Sequence, residues 1–317
     1  TVTAIMIKVE NLSRQYGAKK ALDGLSFTAE NGSVLGFIGP NGAGKTTAMR
    51  MICGIMPPGS GRIEVSGISV ADHPREAKEK LGYLPENAPL HAGMNVLAFL
   101  RYCGKMHGLS GEELHSAVDD SIEKCRLGSV LYEELEVLSK GFKRRVCLAQ
   151  AIMHHPENLV LDEPTDGLDP DQKREIRALI REIGKHAAVI VSTHILEEID
   201  AVCDKVLAIR DGRKVFYGTT HEFRALDPED GALELVFDRL PENFLNSFTT
   251  VRLLAQKTVA EGTLVRIMPE DGNRVDLIAG LAAAATKGGA NVLRCDVLPG
   301  SLEKVFAGFA ETEETES

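Results

Sequence analysis

The chain has no apolar run of membrane-spanning length. A helix needs about 20 mostly apolar residues to cross a bilayer, and the richest stretch here, Leu277 to Ala285, is short and alanine-heavy and reads as an amphipathic helix. If the protein acts at a membrane, another chain must do the crossing. Cys-x-x-Cys spacing is also missing. Six cysteines (53, 103, 125, 147, 203 and 295) are scattered, so metal-thiolate and disulfide readings are both weak and reduced thiols are the default. Nine histidines show no zinc spacing, and His154-His155 reads as the end of a helix. Positive charge is scarce: 36 Lys and Arg against 46 Asp and Glu leave a formal charge of −10. Phosphate backbones demand a basic surface, so nucleic acid is not an expected partner, and direct adhesion to anionic lipid is disfavoured. No secretory leader pattern precedes the first strand, and a cytoplasmic location is expected.

What is present is concentrated in two stretches. Residues 39–46 read Gly-Pro-Asn-Gly-Ala-Gly-Lys-Thr, a Gly, any four residues, then Gly-Lys-Thr. Gly39, Gly42 and Gly44 let the backbone turn tightly and bring N–H groups against phosphate oxygens. Ser33 to Ile38 is a short apolar run suited to a buried strand. From Lys45 onward Met49, Ile52, Ile55 and Met56 keep helical spacing, so a helix over 45–56 is expected. The loop thus joins a strand to a helix N-terminus, which favours an anion. Lys45 is expected to reach the β- and γ-phosphates, and the Thr46 hydroxyl to ligate Mg²⁺. Pro40, Asn41, Ala43 and Thr47 complete the expected nucleotide-binding set.

The second stretch, residues 158–169, reads Asn-Leu-Val-Leu-Asp-Glu-Pro-Thr-Asp-Gly-Leu-Asp. Leu159, Val160 and Leu161 predict a buried strand with Asp162 and Glu163 at its exit. Unperturbed carboxyls ionise at roughly pH 4, and two adjacent carboxylates repel unless a cation sits with them. Mg²⁺ held through Asp162 supplies one. Glu163 then faces the γ-phosphate side as the candidate general base. A nucleoside triphosphate with Mg²⁺ is the ligand that needs both stretches.

In order and spacing these motifs resemble the ATP-binding subunits of ABC transporters over about residues 5–220. The resemblance implies an α/β fold: a P-loop NTPase ABC cassette with a mixed sheet core and a helical subdomain, here followed by a small C-terminal α+β domain. It implies ATP and Mg²⁺ as cofactors and turnover as an ATPase. Tyr16 is similar to the aromatic that stacks on adenine; the local sequence is equally compatible with a surface tyrosine. Leu138-Ser139-Lys140-Gly141-Phe142 is similar to the signature that contacts the γ-phosphate held by an opposite subunit, with Ser139, Lys140 and Gly141 as the contacting set. His194, after the apolar strand Ala188 to Val191, resembles the switch histidine, and Asp169 the aspartate that couples two sites across a dimer. The implied partners are a second ATP-binding subunit, most simply a homodimer, and a multi-span membrane permease, which would place the chain on the inner face of the cell membrane.

Two departures from the family pattern stand out. Lys140 occupies the place of a second Gly, and Phe142 that of a Gln. A phosphate contact and a solvent-facing Lys140 are both compatible with the sequence, solvent being the default. Glu86, in Tyr-Leu-Pro-Glu, stands where a Gln is common; it can still bind Mg²⁺ or its waters, but an ionised carboxylate donates no hydrogen bond. Both variants resemble a branch of bacterial ABC-2 exporters that includes gliding-motility and sodium- or drug-efflux-like ATPases. An ATPase driving a mechanical or regulatory membrane complex is the alternative. A soluble ABC ATPase on ribosomes or DNA is weaker, because the chain has one cassette and no sustained heptad run.

With 317 residues, 44% apolar, the chain is long enough for one large and one smaller domain. The expected nucleotide-binding domain is residues 1–227, with a helical subdomain over about 93–153 (Leu97, Leu100, Leu114, Val118 and Ile122 buried). Pro170 starts a helix with Ile176, Leu179, Ile180 and Ile183 on one face. Glu30-Asn31-Gly32 reads as a hairpin-like turn, and Asp211-Gly212 as a hairpin between Lys205–Arg210 and Lys214–Tyr217. Asp227-Pro228-Glu229-Asp230 reads as a polar linker to an accessory domain over 228–310, with strands at 233–237, 263–268 and 291–297 and helices at 273–287 and 301–309. Its closing Ser-Leu-Glu-Lys-Val-Phe (301–306) resembles the last helix of ABC-2-type ATPases. Residues 311–317, with four Glu, read as a disordered tail.

Overall fold

The computed structural model describes residues 4–87, 90–91, 93–240, 251–270 and 274–311. They fall into two compact units, Thr1–Thr220 and His221–Ser317.

In the first unit the chain runs through strands β1 (Ile5–Tyr16), β2 (Lys19–Glu30) and β3 (Ser33–Ile38), helix α1 (Lys45–Ile52), β4 (Ser60–Val65), β5 (Ile68–Ser69), α2 (Pro74–Glu79) and β6 (Leu81–Leu84). Helices α3 (Val96–Met106), α4 (Gly111–Lys124) and α5 (Lys140–Ile152) follow. Then come β7 (Asn158–Asp162), α6 (Pro170–Gly184), β8 (Ala188–Ser192), α7 (Leu196–Val202), β9 (Lys205–Arg210) and β10 (Arg213–Thr219), and α8 (Thr220–Arg224) begins where the unit ends.

Two sheets organise this unit. One is antiparallel with order β2-β1-β4-β5; the other has order β10-β9-β3-β8-β7-β6 and is parallel from β9 to β6. Strands buried on both faces read as continuous apolar runs. That describes β7 and β8, where every residue is buried, and β3, where all but Ser33 are. One core joins side chains of both sheets (Ile7, Val9 and Phe27; Leu35, Phe37 and Ile190) to Met49, Met51 and Ile52 of α1. Each such fully buried side chain contributes about 1.5–3 kcal/mol relative to exposure, which anchors the helix that follows the glycine loop.

The expected helix over 45–56 stops at Ile52. Gly54 adopts φ 61°, a left-handed stop just past the helix end, and Ile55 is exposed. The turn at Glu30-Asn31-Gly32 is not a hairpin: β2 and β3 lie in different sheets, and the turn carries the chain from one to the other. Asp211-Gly212 does close the β9–β10 hairpin, with both residues at positive φ as a type I′ turn requires.

The second unit contains β11 (Leu233–Phe237), β12 (Val251–Val259), β13 (Gly262–Pro269), α9 (Arg274–Lys287), β14 (Val292–Val297) and α10 (Leu302–Glu311). Its antiparallel sheet has order β12-β13-β11-β14. Leu233, Leu235, Phe237, Val265 and Ile267 pack there against Leu277, Leu281 and Ala285 of α9. Residues 312–317 of the expected tail lie outside the described residues. The division between units precedes Asp227–Asp230, and that stretch is seated in the second unit. Asp227 is buried and accepts hydrogen bonds from Ser301 N (2.7 Å) and Glu229 N (3.0 Å), while Asp230 accepts from Gly300 N (2.7 Å).

Candidate functional site

Strand register assembles the site. In the parallel sheet Phe37 pairs with Ser192, Asp162 with Ser192, and Leu84 with Leu161. The carboxyl ends of β3, β8, β7 and β6 therefore stand in a row, and the residues that leave them are the 39–47 loop, Thr193-His194, Glu163 and Pro85-Glu86. The crevice outside the carboxyl ends of strands is where open α/β sheets bind ligands.

A cleft of about 580 Å³ opens there, lined by Tyr16, Asn41, Gly42, Gly44 to Thr47, Glu86, Glu163 and His194, and also by Lys19, Ala21 and Asp166. Gly39, Pro40 and Ala43 form the body of the loop behind this lining. At Gly44, the N-cap of α1, φ is 108°, and a Cβ there would collide with the Ala21 carbonyl, so only glycine fits. Lys45 is buried, and its Nζ donates to Gly39 O at 2.6 Å and Pro40 O at 3.2 Å. Burial lowers its pKa, against the opposing pull of Glu163, Asp162 and Glu86.

Glu163 leaves β7 with φ 52°. A non-glycine residue held in that region costs of order 1–3 kcal/mol, and its N–H is anchored to Ser192 Oγ at 3.1 Å and Ser192 O at 3.2 Å. The carboxylate points into the cleft, where Oε2 lies 2.9 Å from His194 Nδ1. An ionised carboxylate only accepts, so Nδ1 carries the hydrogen and Nε2 is left for another partner. Burial raises the Glu163 pKa, while the hydrogen bond from His194 pulls it down.

Asp162 lies beneath the lining, fully buried. One carboxylate oxygen accepts from the Ser192 hydroxyl, and the other is buried without a partner. An orphaned buried anionic oxygen, with the Thr46 hydroxyl and Glu86 on the cleft wall, is an all-oxygen donor set. Mg²⁺ takes such donors, usually one or two carboxylates plus substrate phosphates, so these residues fit the ion. Thr46, Asp162 and Glu86 are the residues that would hold it.

The remaining expected site residues lie outside this cleft. Ser139 caps α5, accepting from Phe142 N at 3.3 Å. Asp169 caps α6, accepting from Gln172 N at 2.8 Å. A Cβ on Gly141 would run into the Gln172 side chain, so the α5 and α6 caps are neighbours. Lys140 is exposed, and its Nζ lies 2.6 Å from Asp166 Oδ2. Sequence reasoning missed Lys19, Asp166, Ser192 and Arg144 at this site. Asp166 sits inside residues 158–169, and Ser192 lies between the apolar run Ala188 to Val191 and His194, so position was an available signal for both. Nothing in the local sequence marks Lys19 or Arg144.

A glycine loop on a strand-to-helix turn, a lysine folded onto it, and an acid–histidine pair at the next strand ends define a nucleotide-hydrolysing cassette. Comparison with known proteins gives its family. The family described as "ABC transporter" matches residues 22–166. The linearmycin resistance ATP-binding protein LnrL of Bacillus subtilis (strain 168) is 31% identical over 95% of this chain and 97% of its own. Nod factor export ATP-binding protein I of Ralstonia nicotianae is 30% identical over 95% of this chain and 92% of its own. A solved structure of an ATP-binding subunit of an ABC transporter superposes with a TM-score of 0.65 at 31% identity, over 70% of this chain and 92% of that one. The chain belongs to the ABC transporter family, as an ATP-binding subunit with the fold of an ABC cassette, and it is an ATP-hydrolysing enzyme.

Proposed function

We propose that this subunit powers an exporter of the ABC-2 type: two copies close over two ATP molecules and pass the motion to a separate multi-span membrane permease. The Glu163–His194 pair, set 2.9 Å apart in the cleft that holds Lys45 and the glycine loop, carries this reading. Support for export comes from the names of two relatives, one a resistance protein and one an export protein, which align over more than nine-tenths of this chain and so include its second unit.

The residue roles follow from position. The backbone N–H groups of 39–47 and the N-terminus of α1 receive phosphate oxygens, and Lys45 exchanges its carbonyl contacts for phosphate. Tyr16, half exposed at the rim, offers its ring to the base. Mg²⁺, when bound with the nucleotide, neutralises phosphate charge. Glu163 orients and deprotonates the attacking water, a contribution of about 10²–10⁴-fold in rate, while His194, with a hydrogen on Nε2 as well as on Nδ1, donates to the γ-phosphate. Ser139, Lys140 and Gly141 lie outside the cleft of their own chain, which suits a role against the nucleotide of a second copy, with Asp169 at the same seam. Glu86, on the cleft wall, connects nucleotide state to the surface that meets the permease. Among the described residues no helix is long and apolar enough to cross a membrane.

Affinity purification of the tagged chain from detergent-solubilised native membranes, with mass spectrometry of what accompanies it, tests the coupling. The expected companion is a multi-span membrane protein that raises the ATPase rate. Ribosomal proteins in its place would transfer the assignment to a soluble ABC ATPase.

A further inference from the structure

We propose that Arg144 is a positioning residue of the ATPase site, a buried guanidinium that fixes the backbone of all three carboxylates on which hydrolysis depends. The proposal rests on the reading that Glu86, Asp162 and Glu163 serve Mg²⁺·ATP. Strands β6 and β7 stop pairing at Leu84 and Leu161, Asp162 being paired onward only with Ser192. Beyond that point no ladder holds the Pro85-Glu86 segment to the Asp162-Glu163-Pro164 segment. Arg144 fills the gap. Its side chain is buried, and every nitrogen of the fork is engaged: Nη1 donates to Pro85 O and Glu86 O, both at 2.6 Å, Nη2 to Asp162 O and Glu163 O, and Nε to Pro164 O at 3.4 Å. A planar fork with five N–H donors suits this task; an ammonium is a point donor and cannot span both segments.

Arg144 touches carbonyl oxygens, not the cleft, so it acts through the residues that it holds. It sits one turn into α5, the helix capped by Ser139 and carrying Lys140 and Gly141. A shift of that helix is therefore delivered to the backbone of Glu86 and Glu163 through one side chain.

The test compares Arg144→Gln and Arg144→Lys with the unmodified chain, measuring binding of a fluorescent ATP analogue with EDTA and with Mg²⁺, steady-state kcat and KM, and thermal unfolding. The hydrogen bonds of Arg144 go to residues 85–86 and 162–164 and not to the 39–47 loop, so metal-free binding is expected within twofold of the unmodified chain. The affinity gained on adding Mg²⁺ should shrink about tenfold, as on loss of outer-shell partners of a metal site. The kcat should fall about 10²-fold with KM changed less than threefold, the size expected for a misplacement of about 1 Å. Arg144→Lys should recover part of both losses. Two results would overturn the proposal: Arg144→Gln matching the unmodified chain in kcat and Mg²⁺ dependence, or both variants losing metal-free binding together with their thermal transition, which marks a strut of the fold. An unmodified chain whose ATP binding ignores Mg²⁺ would instead remove the site reading beneath it.

Discussion

Glu163 and His194 are joined by a 2.9 Å hydrogen bond between carboxylate Oε2 and imidazole Nδ1, although they leave different strands. Pairing of β7 with β8 brings the two together, and the anchoring of Glu163 N–H on Ser192 holds the acid at positive φ. In the proposed mechanism this pair is the chemical centre of the cleft.

Replacing Glu163 by Gln keeps the shape and removes the proposed base. Turnover should fall about 10²–10⁴-fold while ATP affinity stays within a few-fold. Single-turnover kinetics with radiolabelled ATP separates the two, and a variant that retains the full rate would show that another group activates water.

The pH profile follows from burial of the same carboxyl. The folded pKa of Glu163 is raised, with burial the leading cause. A base works only when deprotonated, so kcat/KM should fall as pH drops through a midpoint above about 4.3, the ordinary Glu value. Stability has the opposite sign. A carboxyl whose folded pKa exceeds its unfolded one destabilises the fold at neutral pH, and the penalty relaxes as pH falls through the folded value. An acid limb at or below the ordinary value would contradict the assignment.

Tyr16 offers its ring at the cleft rim, with Arg14 5.2 Å above the ring centroid and its hydroxyl 2.8 Å from Met56 Sδ. Stacking of a base on an aromatic side chain is worth about 1–3 kcal/mol by alanine substitution. Tyr16→Ala should therefore weaken ATP binding by about tenfold, and Tyr16→Phe should not. Calorimetric titration decides, and equal affinity for Tyr16→Ala and the unmodified chain would return Tyr16 to the role of a surface residue.

In the second unit Glu234 sits across from Arg266 in the β11–β13 register. Arg266 Nη2 approaches one carboxylate oxygen to 2.8 Å and Arg294 Nη2 the other to 3.1 Å. The hydrogen bond from Arg266 leads in holding the carboxyl below its ordinary pKa. A depressed folded pKa gives stability that is present above the unfolded value and lost as pH falls through the folded one. Glu234→Gln should thus cost about 1 kcal/mol at pH 7, with the gap closing in acid. Amide hydrogen exchange of β11 and β13 in the intact chain reports it, and equal protection at pH 7 would refute the prediction.

Much of this was legible in the residues themselves. Val34–Ile38 and Leu159–Leu161 are buried apolar runs because their strands are central, and the glycine loop between a strand and a helix leaves few alternatives. Val251–Val259 escaped notice for the converse reason. It is a sheet edge whose residues are mostly exposed, so no alternation marks it. The turn at Glu30–Gly32 has hairpin chemistry but serves a change of sheet, which only long-range pairing decides. Arg144 was invisible because its partners are backbone carbonyls far away in the chain, and no side-chain pattern encodes them. Lys140 gained a partner in Asp166 that spacing alone could not supply.

The central claim is that ATP closes two copies of this chain on one another, and Glu163→Gln puts it most directly to the test. Light scattering of the purified variant with Mg²⁺ and ATP should report a mass twice that of the single chain, returning to the single-chain mass when ADP replaces ATP. A variant that binds ATP and keeps the same mass with either nucleotide would contradict the account.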